Sequence, residues 1–211
     1  MGGTTADTRA AHAPIVTVAS EHGAGGDLVA PRVADALGVP FLDRALPASL
    51  AAASEDSKPP GGLAGSLARA SSILGGEPVE RMDLDEGHMR AELAEFLARA
   101  STDGGVVLGR GGVLVFADAP TALHVFLRGD RQGRVERVAE REGIDADEAD
   151  RQVRAHDRAR RAYVRRAFGV DPDDRALYHL VIDTVVLGID TTVALVLAAS
   201  RAQTRQPPIE S

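Results

Sequence analysis

The chain has 211 residues, a formal net charge of −7 and no cysteine. Disulfides and thiolate metal sites are thereby excluded, a general nucleic-acid binder is disfavoured, and the length suits one domain with a real core. No apolar run reaches the length of a membrane span and MGGTTADTRAAHA lacks a signal-peptide core, so the expectation is a soluble protein, cytoplasmic by default, with no membrane partner.

In chain order, residues 1–13 and 203–211 are small, polar and proline-containing and predict frayed tails around a single domain over 14–202. Residues 14–19, apolar and β-branched, predict a buried parallel strand. A helix follows from near Asp27, with Leu28, Val29, Val33 and Leu37 toward the core, and Gly38 suits its cap. Pro31 argues for a start close by, because its missing N–H is harmless only in the first turn. VPFLD (39–43) predicts a second strand, and residues 47–80, rich in Ala, Ser, Gly and Pro, a mobile helical insertion. Met89, Leu93, Phe96 and Ala100 have helical spacing over 85–100.

VVLGRGG then predicts a strand ending at Gly109-Arg110-Gly111-Gly112, and ALHVFLRG (122–129) another. Asp130 caps a helix through Glu142 closed by Gly143, and Asp145 to Glu148 is a capping box for a longer helix to about Phe168. YHLVIDT (178–184) is the last strand and TTVALVLAAS (191–200) the closing helix. Five strands alternating with helices predict an α/β, doubly wound parallel sheet, whose ligands bind at the carboxyl ends of the strands. Ser20–Asp27, Asp43-Arg44, Gly109–Gly112, Arg128–Arg131 and Asp183-Thr184 all fall at such ends.

SEHGAGGD (20–27) joins the first strand to its helix. Gly23, Gly25 and Gly26 let the backbone turn N–H groups toward an anion at a helix N-terminus. Against the phosphate-loop pattern G-x-x-x-x-G-K-[ST], Ser20 takes the first place, Gly26 the lysine place and Asp27 the hydroxyl place. Alone, the stretch reads equally as a tight turn. Asp27 would repel a phosphate unless Mg²⁺ lay between them, and Mg²⁺ accepts carboxylates, so both readings stay open.

Lys58 is the sole lysine, and 128–166 holds twelve arginines against nine acidic residues. Arg151, Arg154, Arg158, Arg161 and Arg165 form one helical stripe, and Arg134, Arg137 and Arg141 repeat the spacing on the helix before. They suit either a solvated face paired with Glu136, Glu140, Glu148 and Asp150 or a lid closing guanidiniums over a polyphosphate. Arg110, between glycines at a strand end, points to a ligand role. Asp43-Arg44 suits a ligand or an internal pair, and Asp183 a turn cap. His22, His124 and His156 have no metal-ligand spacing, and no Ser-His-Asp arrangement is visible.

The segments IVTVASEHGAGGDLVAPRVADALGVPFLDR, VVLGRGG, LHVFLRGDRQGRVERVAEREGI, HDRARRAYVRRAFG and VIDTVVLGID, in that order, resemble the cytidylate kinase-like family of P-loop nucleoside monophosphate kinase relatives, over roughly residues 14–198. The resemblance implies a P-loop NTPase-type sheet with a helical lid (131–168) and a monophosphate-binding insertion (47–80). It implies ATP and Mg²⁺ as cofactors and transfer of the γ-phosphoryl group to a nucleotide acceptor, CMP or dCMP first. By position, Gly23, Ala24, Gly25, Gly26 and Asp27 would cradle the ATP phosphates, Asp27 with the metal. Asp43, Arg44 and Arg110 would face the monophosphate, while Arg131, Arg158 and Arg161 would act in catalysis. Cytidylate kinases carry a loop lysine and an aspartate after the strand-end Gly-Arg, where this chain has Gly26 and Gly111. The alternative is a catalytically weak or inactive nucleotide-binding relative acting as a sensor or partner-binding module.

Overall fold

A computed structural model describes residues 13–43, 100, 102–109 and 111–204. The insertion expected at 47–80, all but the end of the helix expected over 85–100, nearly all of both tails, and Arg44 and Arg110 lie outside the described residues.

Five short apolar runs supply the strands β1 (Ile15–Ser20), β2 (Phe41–Asp43), β3 (Gly105–Leu108), β4 (Ala122–Arg128) and β5 (Leu180–Asp183), each within a few residues of its predicted place. They pair in parallel in the order β2-β3-β1-β4-β5, so β1 is central, with Ile15 beside Gly105 on one flank and Ala122 on the other. A strand flanked on both sides has two faces to bury, and β1 is apolar on both. Val16 and Val18 join Val125 and Leu127 under α1 (Gly26–Leu37), while Ile15 packs with Val107, Phe116 and Ala122 on the opposite face. Each buried valine or leucine stabilises by about 1.5–3 kcal/mol relative to exposure.

The remaining helices among the described residues are α2 (Gly112–Val115), α3 (Arg131–Glu142), α4 (Ala146–Phe168), α5 (Thr184–Leu187) and α6 (Ile189–Gln203). α6 adds Val193 and Val196 to the core beside Val29 and Val33 of α1. The predicted caps are in place: Asp130 accepts from Gly133 N–H and Asp145 from Glu148 N–H, while Gly143 and Gly169 close the two helices. Asp183 caps a turn as expected, accepting from the N–H groups of Val185 and Val186. α3 and α4 pack through Val135, Val138, Ala149 and Val153. None of the described helices is long and apolar enough to cross a membrane.

Two local expectations need correction. α1 starts at Gly26, beside the expected Asp27, but Pro31 lies in its interior and not in the first turn. The proline ring leaves the carbonyl of Asp27 without its helical donor, a cost the packing of Val29 and Val33 offsets. Leu28 is 40% exposed, because that helix angle faces away from the sheet that Val29 and Val33 contact.

One polar layer crosses the second face of the sheet. Thr17 and His124 are register partners, with Oγ1 and Nδ1 2.8 Å apart. The His124 ring stacks on His179, whose Nδ1 accepts the His124 backbone N–H. Burial, then the neighbouring His179, pushes the His124 imidazole down to about 4. The folded state thus keeps His124 neutral where the unfolded chain takes up a proton, so the associated stability is complete above about pH 6.5 and lost as pH falls toward 4. Urea melts should show up to about 3 kcal/mol of loss across that window, with a shallower slope in His124→Gln. Equal slopes would remove His124 from the account.

Candidate functional site

The turn after β1 is shaped by glycines. Gly23 and Gly25 have φ of 81° and 78°, a region that costs other residues strain, and a Cβ at Gly23 would lie 2.6 Å from the Arg134 carbonyl oxygen. The carbonyls of this turn all have donors. Glu21 O accepts from Ala24 N–H and Ser20 Oγ, His22 O from Arg134, Gly23 O from Arg137, Ala24 O from Thr184 Oγ1, and Gly25 O from Leu28 and Val29 N–H. The amides of Gly23, Gly25, Gly26 and Asp27 find no acceptor among the described residues. With every carbonyl tied back, the free face of the turn is made of N–H groups at the start of α1, an anion cradle.

The tie is an ion pair carried by the two helices of 131–168. Arg134 of α3 is 6% exposed and Asp157 of α4 also 6%, with Nη1 and Oδ2 2.8 Å apart. Arg134 Nη1 also donates to His22 O, and its Nε to Gly129 O while 3.3 Å from Glu21 Oε2. The other oxygen of Asp157 accepts the His22 N–H, and Glu21 accepts the Gly129 N–H. Arg137 bridges Gly23 O to Thr184, with Nη1 donating to Gly23 O and Thr184 Oγ1 and Nη2 to Thr184 O.

Between this loop and α4 lies a cavity of about 350 Å³ at the carboxyl ends of β1 and β3. Ser20, Gly26, Gly109, Arg160, Tyr163 and Tyr178 contribute to its walls. The Arg160 guanidinium stands 5.2 Å from the centroid of the Phe126 ring and pairs through Nη2 with Asp173, while its Nε and Nη1 are buried without an acceptor among the described residues. An unmet charged donor is costly to bury, and such nitrogens on a cavity wall suit an anionic oxygen. Beside it, His22 stacks on His156 with ring centroids 4.1 Å apart, and its Nε2 is also buried and unpartnered. Burial, then His156 and Arg141, hold the His22 imidazole below its ordinary value. Tyr178 donates its hydroxyl to Pro172 O, and burial pushes the phenol up to about 12, so it stays neutral.

The sequence-predicted residues are not all drawn together. Gly23, Ala24, Gly25 and Gly26 form the loop, and Asp27 pairs with Arg141 at 2.5 Å in a half-exposed position. Asp43 ends β2 in register with Leu108, next to Gly109. Arg131 is engaged bidentately by Asp150 at 2.5 and 2.8 Å and is not part of the cavity wall. Arg158 is exposed, and Arg161 donates to Asp157 O of its own helix and lies 3.4 Å from Asp173. The solvated-face pairs exist in part: Arg151 with Glu148, Arg154 with Asp150. Arg134 and Arg137 instead turn onto the loop. His22 and His156, unremarkable by spacing, meet on the cavity wall.

Sequence reasoning missed Arg160, Asp157 and the inward role of Arg134. A signal existed in α4. Val153, Asp157, Arg160, Val164 and Phe168 follow one another at spacings of four, three, four and four, an apolar stripe interrupted by two charges. Gly111, where cytidylate kinases carry aspartate, has a φ of 66°, and a Cβ there would lie 2.4 Å from the Phe168 ring. The end of α4 fills that space.

For a nucleotide the cradle of free amides is a fitting seat. For Mg²⁺, no cluster of three His, Asp or Glu side chains forms among the described residues. The loop offers Asp27, already paired with Arg141, so phosphate and water oxygens would supply most of the coordination.

Comparison with known proteins agrees with this geometry. A profile of the Cytidylate kinase-like family matches residues 15–185. The cytidylate kinase of Methanopyrus kandleri is 39% identical over 77 residues, 36% of this chain and 40% of that protein. The cytidylate kinase of Pyrobaculum calidifontis is 28% identical over 124 residues, covering 55% and 67%. The chain thus spans well under half the length of the first of these relatives. A crystal structure described as an uncharacterized protein from Eubacterium ventriosum has the same fold, with a TM-score of 0.68, 21% identity, and coverage of 90% and 99%.

Removing one member of the buried pair strands the other charge. Arg134→Ala or Asp157→Ala should each cost about 3–5 kcal/mol, while Arg134→Met with Asp157→Leu should lose clearly less than the sum of the single changes. Thermal melts of the three variants test this, and additive losses would contradict the pairing.

Proposed function

The chain belongs to the cytidylate kinase-like family, and on that premise we propose that it moves the γ-phosphoryl group of ATP to a nucleoside monophosphate, CMP or dCMP first, using a phosphate loop that has lost its lysine. The observation that carries the reading is the loop itself. Arg134, Arg137 and Thr184 hold its carbonyls back, and Gly23, Gly25, Gly26 and Asp27, whose amides find no acceptor among the described residues, line the cavity.

In this reading the four amides bind the β-phosphate oxygens and align the chain's helix dipole with them. Arg160 supplies the positive charge that the loop lacks, through Nε and Nη1. Arg158 and Arg161, on the same helix, and Arg131 at the start of α3 reach the transferring group if the helices shift toward it. Asp43, Arg44 and Arg110 would face the acceptor monophosphate, with the two arginines supplying the positive charge its phosphate needs. Asp27 is the residue that would hold Mg²⁺ beside the phosphates, and the ion would supply neutralising charge there. The wall of Tyr163, Val164 and Tyr178 excludes water, which protects ATP from simple hydrolysis.

A second reading, a nucleotide-binding relative with little or no turnover, is favoured by one feature. Asp27 sits at the hydroxyl place and takes up Arg141, so the loop adds no positive side chain of its own.

Purified protein given ATP, Mg²⁺ and each nucleoside monophosphate in turn should form the matching diphosphate, fastest with CMP or dCMP. Arg160→Ala should lower kcat/KM by about 10²–10³, with most of the loss in kcat. Tight ATP binding without diphosphate formation from any acceptor would favour the second reading, and absence of nucleotide binding would sink both.

A further inference from the structure

The missing lysine is tied to a second residue. Gly26 opens α1, and a Cβ there would lie 2.6 Å from Ser20 Cβ, 2.9 Å from Ser20 Oγ and 3.0 Å from Leu108 Cδ1. Carbon atoms in contact prefer about 3.5–4.0 Å. The two nearest obstacles belong to Ser20, the last residue of β1, whose short side chain cannot swing its Cβ away. Its Oγ is further held by the Glu21 carbonyl at 2.9 Å. Its backbone is held as well, because β1 pairs with β4 as far as Ser20, in register with Leu127, and with β3 as far as Val18. Leu108 Cδ1 is the far end of a flexible side chain and can yield.

In the phosphate-loop pattern these are the first glycine and the lysine, five residues before and immediately after the second glycine. The spacing that separates them in sequence brings them into contact across the loop. We infer that Ser20 excludes a side chain at 26: with serine at 20 the loop holds none there without strain, and exchanging Ser20 for glycine opens the room that a loop lysine needs. Ser20 is therefore a positioning residue that fixes this loop in its lysine-free form and passes the charge requirement to the helix opposite. The exclusion is geometric; its bearing on phosphate contact rests on the kinase reading.

Six proteins test it: the natural chain, Ser20→Gly, and Gly26→Lys and Gly26→Ala each with and without Ser20→Gly, the alanine being the smallest probe should Gly26→Lys fail to fold. Forcing a side chain into this contact should lower the Tm by roughly 3–10 °C. Ser20→Gly alone should shift it little, and Ser20→Gly should restore most of the loss in either Gly26 background. A Gly26→Lys or Gly26→Ala protein that melts with the natural chain, or an equal loss with and without Ser20, would overturn the inference. A binding arm separates the two levels. With Ser20→Gly in place, lysine at 26 should tighten the Kd for ATP several-fold relative to alanine at 26. Equal affinities with the melting pattern intact would leave the exclusion standing and count against the phosphate-loop reading alone.

Discussion

The buried pair of Arg134 and Asp157 is the contact on which the site depends. Two opposite charges, each 6% exposed, are an expensive thing to remove from water, and attraction alone seldom repays that cost. Here the pair is completed by backbone. Arg134 also donates to the carbonyls of His22 and Gly129, and the other oxygen of Asp157 accepts the His22 amide. One ion pair thereby grips both polar groups of a single loop residue and joins the loop after β1 to the start of α3 and the middle of α4. The loop shape follows from that grip together with the two left-handed glycines, rather than from a lysine.

This arrangement changes what the arginine-rich segment does. Its local excess of positive charge suggests a field waiting for phosphate, yet most of its guanidiniums are occupied. Arg131 and Arg154 share Asp150, Arg151 holds Glu148, Arg165 holds Asp171, and Arg141 holds Asp27. Exposed pairs of this kind contribute little stability and exchange readily for a stronger anion. Arg160 differs, because among the described residues two of its nitrogens are buried and unmet while the third serves Asp173. It stands on the cavity wall opposite the unbonded amides of the loop.

Much of the fold was legible in the sequence. Alternating strand and helix runs gave the parallel sheet, and the Asp130, Asp145, Gly143 and Gly169 signals gave the helix ends, because capping is a local matter decided by a few neighbouring atoms. The loop was legible as a glycine turn. Its stabilisation was not, since most partners of residues 21–24 come from positions 127 to 184, and long-range pairing leaves no periodic trace. The arginine stripe misled for a related reason. Spacing identifies which residues share a face but not which face is inward, and the stripe at 151–165 faces outward while Asp157 and Arg160 interrupt the apolar one. Gly26 and Gly111 read as losses in sequence, whereas in space each is filled by a neighbour, Ser20 and Phe168.

The central claim is that the loop binds anions through its backbone amides. Nuclear magnetic resonance of amide-labelled protein, titrated with ATP, reads those groups one by one. The account predicts large downfield proton shifts at Gly23, Gly25, Gly26 and Asp27, where new acceptors arrive, and small ones at Glu21, His22 and Ala24, whose amides are already bonded to Leu127 O, Asp157 and Glu21 O. Saturable ATP binding that leaves the first four amides unmoved would contradict it.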